Sequence, residues 1–346
     1  MTQTAAIVTT LKNPGPSLDS FIRYHLAIGF SNLFLFFDDP GDPSIARARK
    51  YQDVVIVKND ARLRRSWKKT NIATTKPYLY EFRKSEVSLR QELNVEIAIQ
   101  LALKKNIDWL LHIDCDELFY PFQKNVPAHF QSLSDRRIEN VVYANYEGIP
   151  ETMDIEDFFR EVTLFKKNFD IFPKLSLSRQ QTRVTKDIPQ LPDRLFLFYA
   201  DGKSAALISN KLLPDGVHRF LTKKPRRSSK SAGRAIGPLI CKDAVILHYP
   251  SCGFNNFWRK YKTLGSFGDK WFNQIDIAES IGSFHQESRD MVSRNRKKEA
   301  REFYKRRVVI DKKSVKLLID SGVVCRIKEP FTRLNRLRQR TKNSVA

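Results

Sequence analysis

The hydrophobic pattern changes rhythm several times in the first 120 residues. Ala5–Leu11 (AAIVTTL) is a short apolar run with β-branched members, the signature of a buried strand. KNPGPS breaks it at Lys12–Ser17. Ser17 then suits the N-cap of a helix whose apolar stripe is Leu18, Phe21, Ile22 and Leu26, closed by Gly29. NLFLFF (32–37) reads as a second strand, ending on Asp38-Asp39 and a PGDP turn, and DVVIVKND (53–60) as a third. Residues 61–88 are basic and polar without a clear period and read as an irregular excursion. Arg90–Lys105 carries a helical stripe of Leu93, Ile97 and Leu101 with alanines beside it. Lys104 and Lys105 sit at its C-terminal end, where the helix dipole favours cations. Trp109–Ile113 is the fourth strand. The order β-α-β-β-α-β predicts an α/β fold of Rossmann type, a mostly parallel central sheet flanked by helices.

Further strands are expected at 140–150 (NVVYANYEGIP), 194–200 (RLFLFYA) and 243–250 (DAVILHYP). The stretch 223–233 (KKPRRSSKSAG) reads as a solvated loop. Beyond Cys252 the pattern is helical, at FNNFWRKYKTLGSF, 285–307 and 314–320. This suggests a catalytic domain over 1–250 and a basic helical extension over 251–346, flexible from about 330. No internal repeat is visible.

Charge sharpens this division. The chain of 346 residues has a net charge of +23, and Arg289 to the end holds 19 Lys/Arg against 6 Asp/Glu, a net of +13. Such an excess favours anionic partners. Hydrophobic residues at 41% support a real core. No apolar run has the length of a membrane span or the form of a signal peptide. The four cysteines form no CxxC pair and no Asn-x-Ser/Thr site occurs, which lean toward a reducing, cytoplasmic setting.

The candidate chemistry lies in Trp109–Pro121, WLLHIDCDELFYP. Three acids, Asp114, Asp116 and Glu117, follow an apolar strand, and like charges gathered there need something positive among them. Two carboxylates one residue apart on a turning chain can bind a hard cation, Mn²⁺ or Mg²⁺, whose other positions hold a diphosphate. A solvated strand-end cap is the plainer alternative. Ligands in open α/β sheets bind outside the carboxyl ends of strands, and Lys12-Asn13 and Asp38-Asp39 fall on that same edge. Cys115 is expected to point into the core.

WLLHIDCDELFYP resembles the W-x-x-x-x-D-x-D-E segment of nucleotide-sugar glycosyltransferases with the GT-A fold. KNPGPSLDSFIRYHLAIGFSNLFLFFDD is similar to the opening of glycosyltransferase family 92 and related family-2-like enzymes, although Pro14 stands where those carry an acid. Arg90-Gln91, GKSA (202–205), DGVHR (215–219) and LHYPSCGFNNFWRKY (247–261) fit as well, so the likeness spans roughly residues 5–265. It implies a metal-dependent transfer of a sugar from a nucleotide-diphosphate donor, with a UDP-sugar as first choice, to a glycan or other hydroxyl acceptor with inversion. By that resemblance Thr10, Lys12, Asn13, Asp38, Asp39 and Arg90 line or hold the nucleoside pocket. Asp39 reads equally as a turn-former before Pro40, and Arg90 as a surface residue starting a helix. Asp114 and Asp116 hold the metal, with Asp114 also near the ribose and His248 as a further ligand. Inversion needs a carboxylate base; Asp215 and Glu147 are the leading candidates. Glu117, His218, Arg219, Trp258 and Arg259 are candidates for acceptor or phosphate contacts, with plain helix packing the alternative for Trp258. His25 and His112 read as structural.

Two competing functions use the same features. A nucleic-acid or anionic-surface binding protein would explain the charge, but the basic end lacks any helix-turn-helix, finger or aromatic-basic strand signature, so no specific nucleic acid is expected. A touch on an anionic membrane surface remains compatible. A nucleotidyltransferase would need a triphosphate loop near the first strand, which KNPGPS barely provides.

Overall fold

A computed structural model describes residues 2–123, 125–169, 179–186, 188, 191, 195–221, 226–227, 235–236, 239–270 and 276–343. The chain opens with β1 (Ala5–Leu11), α1 (Leu18–Ile28), β2 (Asn32–Phe37), α2 (Ser44–Ala48) and β3 (Val54–Lys58). Short helices follow: α3 (Ala61–Trp67), α4 (Asn71–Thr75), α5 (Pro77–Tyr80) and a 3₁₀ turn at Glu81–Lys84. Then come α6 (Val87–Lys104), β4 (Trp109–His112), β5 (Glu117–Pro121), α7 (Val126–Asp135), β6 (Asn140–Ile149), α8 (Phe158–Glu161), β7 (Leu164–Lys166) and α9 (Arg179–Lys186). The second half holds β8 (Lys203–Leu207), β9 (Leu213–Asp215), β10 (Arg219–Leu221), the two-residue strands β11 (Arg226–Arg227) and β12 (Ala235–Ile236), and β13 (Leu239–His248). It ends with α10 (Phe254–Leu264), α11 (Ile277–Ile281), α12 (Phe284–Ser293), α13 (Lys297–Arg307), α14 (Lys312–Asp320), β14 (Val324–Arg326) and α15 (Glu329–Asn343). Among the described residues no helix is long and apolar enough to cross a membrane.

Two compact units divide the chain, and the division is interleaved rather than a cut at residue 250. The first comprises residues 1–14, 25–144 and 201–246; the second comprises 15–24, 145–200 and 247–346. The basic helical end is thus one part of a unit that also draws on two earlier stretches.

The first unit carries the expected α/β sheet. β4, β1, β2 and β3 lie side by side in parallel. β8 extends them antiparallel to β4, and the first half of β6 pairs antiparallel with β8. β1, β2 and β4 are apolar on both faces because both faces are covered, as parallel strands require. On one face, Leu89, Leu93, Ala98, Ile99 and Ala102 of α6 pack on Ala6, Val8, Phe34, Phe36 and Leu110.

Residues 61–88 are not an irregular excursion. Asp60 caps α3 by accepting the Arg62 and Leu63 N–H groups. Leu63, Trp67 and Ile72 then enter the same core. The buried Trp67 indole donates to Asn94 Oδ1 at 3.0 Å, and Asn94 Nδ2 donates to Thr10 Oγ1 at 2.9 Å.

In the second unit the last half of β6 pairs antiparallel with β7, and β7 with β14. The strand expected at 194–200 does not form. Residues 195–200 are irregular, and Arg194 lies outside the described residues. Most of the loop read at 223–233 also lies outside them. The 285–307 helix breaks at Arg294–Arg296 into α12 and α13, and α15 runs from Glu329 to Asn343. Basic α13 buries Ala300, Phe303 and Tyr304 in a cluster with Phe254, Phe257 and Phe284. The Tyr304 hydroxyl donates to Ser251 O at 2.8 Å and accepts from Gly253 N–H at 2.7 Å. Gly253 is required there: its φ is +89°, and a Cβ would fall 2.6 Å from Ile155 O.

Glu147 is the centre of a closed clasp in this unit. Its Oε1 accepts from Lys166 Nζ at 2.8 Å and from Leu197 N–H at 2.9 Å; its Oε2 accepts from Phe198 N–H at 2.9 Å. The side chains of Glu147 and Lys166 are 1% and 2% exposed. Glu147 therefore does not stand as a catalytic base; its oxygens replace the strand that residues 195–200 fail to provide. Glu147→Gln leaves the Lys166 charge buried without its counterion, and stability should fall by about 3–5 kcal/mol, read from the urea midpoint.

Candidate functional site

The parallel register aligns the ends of the strands. Leu11 pairs with Phe37 and Val8 with His112, so Lys12, Asp38 and Asp114 emerge at the carboxyl edge of β1, β2 and β4. This is the edge expected to carry the ligand.

Asp38 is not a bare carboxylate there. Arg90, 9% exposed in the first turn of α6, grips it with two parallel bonds, Nε to Oδ1 at 2.7 Å and Nη2 to Oδ2 at 2.8 Å. Asn59 Nδ2 also donates to Oδ1, at 3.2 Å. Arg90 Nη1 donates to the carbonyls of Arg83 and Glu86. Arg90 is thus neither a surface helix-starter nor a group open to phosphate; it staples the segment before α6 to the end of β2. Asp39 is exposed and accepts the Gly41 N–H at 2.8 Å, the turn-forming role. Lys12 and Asn13 are exposed, and Asn13 adopts φ 49° while its N–H donates to Asp42 Oδ2.

The positive group among the acids is Lys203. Leu111 pairs with Ala205 across the antiparallel β4–β8 contact, which brings Lys203 level with Ile113. Its side chain is 0% exposed. Nζ lies 2.7 Å from Asp114 Oδ2 and 3.8 Å from Glu117 Oε2, and it donates to Val217 O at 3.4 Å. Gln91 Nε2 donates to the other Asp114 oxygen at 2.6 Å. The turn is closed by Asp114 N–H donating to Glu117 Oε2 at 2.8 Å and Glu117 N–H to Asp114 O at 3.1 Å. Glu117 is wholly buried, an internal brace rather than an acceptor contact, whereas Asp114 keeps 27% of its side chain exposed. Asp116 and Cys115 are half-buried, so Cys115 does not enter the core.

Burial works against the Asp114 charge, but Lys203 outweighs it and holds the carboxyl below its ordinary range. Burial likewise works against the Lys203 ammonium, and Asp114 and Glu117 raise it regardless. His112, 3% exposed, is pushed down to about 3 by burial and by Lys203, and stays neutral beside the pair.

The β9–β10 hairpin belongs to the same cluster. Asp215 pairs with Arg219 across it. Gly216 N–H donates to Glu92 Oε2 at 3.2 Å, Ser204 Oγ to His218 O at 2.9 Å, and His218 Nδ1 lies 2.9 Å from Gly202 O. Burial lowers His218 to about 3. It is therefore a neutral imidazole, not a cation for phosphate. Arg219 donates to the carbonyls of Asp201 and His218. Asp215 itself is exposed. Gln91 and Lys203 lie in motifs the sequence had singled out, Arg90-Gln91 and GKSA, but without a role for either, and Glu92 and Asn94, which follow on α6, were not singled out.

The remaining predicted residues belong to the second unit. His248 is buried and stacks on Tyr199, with ring centroids 4.8 Å apart. Trp258 packs against the α10–α13 cluster, with its ring 6.1 Å from Phe254. Arg259 donates to Asn256 Oδ1 and covers Gly15 so closely that a Cβ there would lie 2.2 Å from its guanidinium. Among the described residues no group of three or more His, Cys, Asp or Glu side chains is arranged to hold a metal unaided.

Relatives give this arrangement a context. No family model matches the chain. Two Arabidopsis thaliana proteins do. Glycosyltransferase-like At2g41451 is 28% identical over 92% of this chain and 69% of its own length. Glycosyltransferase-like At3g57200 is 25% identical over 92% of this chain and 60% of its own length. The chain is similar to glycosyltransferase-like proteins along almost its whole length. Among solved structures, core-mannan synthase A from Aspergillus fumigatus in its Mn/GDP form matches with a TM-score of 0.28 and 12% identity, over 60% of each chain. Glucosyl-3-phosphoglycerate synthase from Mycobacterium tuberculosis, solved with Mn²⁺, UDP and glucosyl-3-phosphoglycerate, matches with 0.27 and 13%, over 59% of this chain and 57% of its own. At such TM-scores neither bears on what this chain binds.

The Arg90–Asp38 staple is open to direct test. Arg90→Lys keeps the charge but loses the planar fork and its carbonyl contacts. Stability should drop by about 2–3 kcal/mol, and amide exchange should quicken across residues 81–86.

Proposed function

We propose that this chain is a glycosyltransferase, moving a sugar from a nucleotide-diphosphate donor to an acceptor hydroxyl. The observation that carries the reading is the Asp114–Asp116 turn at the carboxyl end of β4, ringed by the first turn of α6 and the β9–β10 hairpin. The similarity to glycosyltransferase-like proteins along the chain supports it.

The donors at this turn are carboxylate oxygens, the chemistry that suits Mn²⁺ or Mg²⁺. A magnesium-like ion needs one or two carboxylates when substrate phosphates complete its shell, so the lack of a protein-only cage does not count against it. Asp116 would hold such an ion, with Asp114 contributing whatever its bonds to Lys203 and Gln91 leave available. A bound cation would offset the charge that grows on the departing nucleoside diphosphate. His248 does not enter this proposal, because it is buried between the rings of Phe198 and Tyr199.

Asp215 is the base we assign. It is exposed on a hairpin whose backbone is anchored by Glu92 at Gly216 and by Ser204 at His218, so it is accessible at the turn's edge. A carboxylate that takes the acceptor's proton as the hydroxyl attacks gives inversion at the sugar carbon. UDP-sugars are the first donors to try, and a glycan hydroxyl the first acceptor class. The exposed Lys297, Lys298, Arg301, Lys305 and Arg306 on α13 suit an anionic surface.

The reading is checked by thermal unfolding with UDP or GDP, with and without Mn²⁺. One nucleoside diphosphate should raise the melting temperature in a Mn²⁺-dependent way, and Asp116→Ala should abolish the rise; at a hundredfold excess over Kd the effect is about 2.7 kcal/mol. No shift with any nucleotide diphosphate, beside salt-sensitive binding of duplex DNA, would favour the competing anion-binding function. Asp215→Asn should cut kcat by about 10²–10⁴-fold while donor affinity stays unchanged.

A further inference from the structure

The acids of the Asp-x-Asp turn are not a bare cluster of negative charge. In this chain the cluster contains an ammonium that solvent does not reach. Lys203 bonds Asp114 Oδ2 at 2.7 Å, lies 3.8 Å from Glu117 Oε2 and bonds Val217 O at 3.4 Å, with its side chain 0% exposed. These contacts reach three segments: the end of β4, the start of β5 and the hairpin that carries Asp215. Val217 is two residues from Asp215, and Ser204, next to Lys203, holds the carbonyl of His218. Gln91 fixes the second Asp114 oxygen from α6.

We propose that Lys203 is a counter-cation built into the fold, which orients Asp114 and lowers the turn's attraction for free metal ions, so that a divalent cation binds well only together with a nucleoside diphosphate. The proposal deepens the transferase reading and rests on it for the identity of the joint ligand. The charge argument is direct. Asp114, Asp116 and Glu117 carry three formal negative charges within four residues, and Lys203, bonded to Asp114 Oδ2, cancels one of them. An ion at Asp114 would also face the ammonium across that carboxylate, a repulsion that water screens poorly at a buried site. The diphosphate restores the missing negative charge on the open side. Lys203 itself cannot touch phosphate from its buried position. It is a positioning residue.

The test is a calorimetric titration of Mn²⁺ into the full chain without nucleotide. Wild type and Lys203→Arg should bind weakly. Lys203→Met should bind at least about tenfold more tightly, since removing one nearby positive charge at a partly buried site is worth a tenfold step or more. A loss of structure would not raise metal affinity, so this readout separates positioning from mere support. Unchanged or weaker Mn²⁺ binding by a folded Lys203→Met overturns the proposal. Where Lys203→Met fails to fold, Lys203→Gln, which removes the charge but keeps a hydrogen-bonding side chain, takes its place in the same titration: Mn²⁺ binding at least about tenfold tighter than wild type upholds the proposal, and unchanged or weaker binding overturns it. A parallel titration of UDP and GDP keeps the two ideas apart. Tight Mn²⁺ binding by Lys203→Met, with no nucleotide bound by wild type, upholds the counter-cation and sinks the transferase reading. Nucleotide binding by wild type with unchanged metal affinity in the variant does the reverse.

Discussion

An ammonium group taken out of water loses hydration worth many kcal/mol, and only well-placed partners make its burial tolerable. Lys203 is in that position. Its partners include Asp114 at bonding distance, Glu117 slightly further away and the Val217 carbonyl. The arrangement binds both ways: the acids of the β4–β5 turn can sit so close together because Lys203 is among them, and Lys203 can be buried because the acids are there. The turn, the first residues of α6 and the β9–β10 hairpin meet around that pair.

The sheet explains how the pair comes together. β4 delivers Asp114 at its carboxyl end, as the parallel order of β1, β2 and β4 requires. β8 runs the other way, so its first residue rather than its last lies beside that end. A strand added antiparallel to a parallel block can therefore donate a side chain to the block's functional edge from its own N-terminal residue. The Arg90–Asp38 staple shapes the same edge one strand pair away and fixes the start of α6, from which Gln91 reaches Asp114.

Much of this was legible from the pattern of residues. β1, α1, β2, β3, α6, β4 and the acidic turn follow from apolar runs, caps and breakers, because local sequence decides them. The residues that failed to show themselves depend on register or on partners distant in sequence. Lys203 stands in GKSA, a motif that by itself names no partner for the lysine, and only the pairing of β8 with β4 reveals its neighbour 89 positions earlier. Glu147 reads as a candidate base from sequence because Lys166 and the 197–198 amides that bind its oxygens are far along the chain. In residues 61–88 the arginines obscured a real signal, Asp60 as a cap with Leu63 and Trp67 four apart on one face.

The two buried Lys–carboxylate pairs show how a structural acid differs from one that can work. Glu147 and Lys166 expose 1% and 2% of their side chains, and two backbone amides use the remaining capacity of the carboxylate. Nothing outside can reach those oxygens, so the pair can only hold residues 195–200 to β6. In Asp114 and Lys203 the base is equally buried, at 0%, but the acid keeps 27% open. Charge type and distance are nearly the same in both, 2.8 Å against 2.7 Å. What separates them is exposure: Lys203 and Gln91 hold the two Asp114 oxygens in place, yet part of that pre-oriented carboxylate still faces solvent. A carboxylate held in place by the fold loses little freedom when a ligand arrives, which is how a buried ion pair of doubtful value for stability can still be useful in binding.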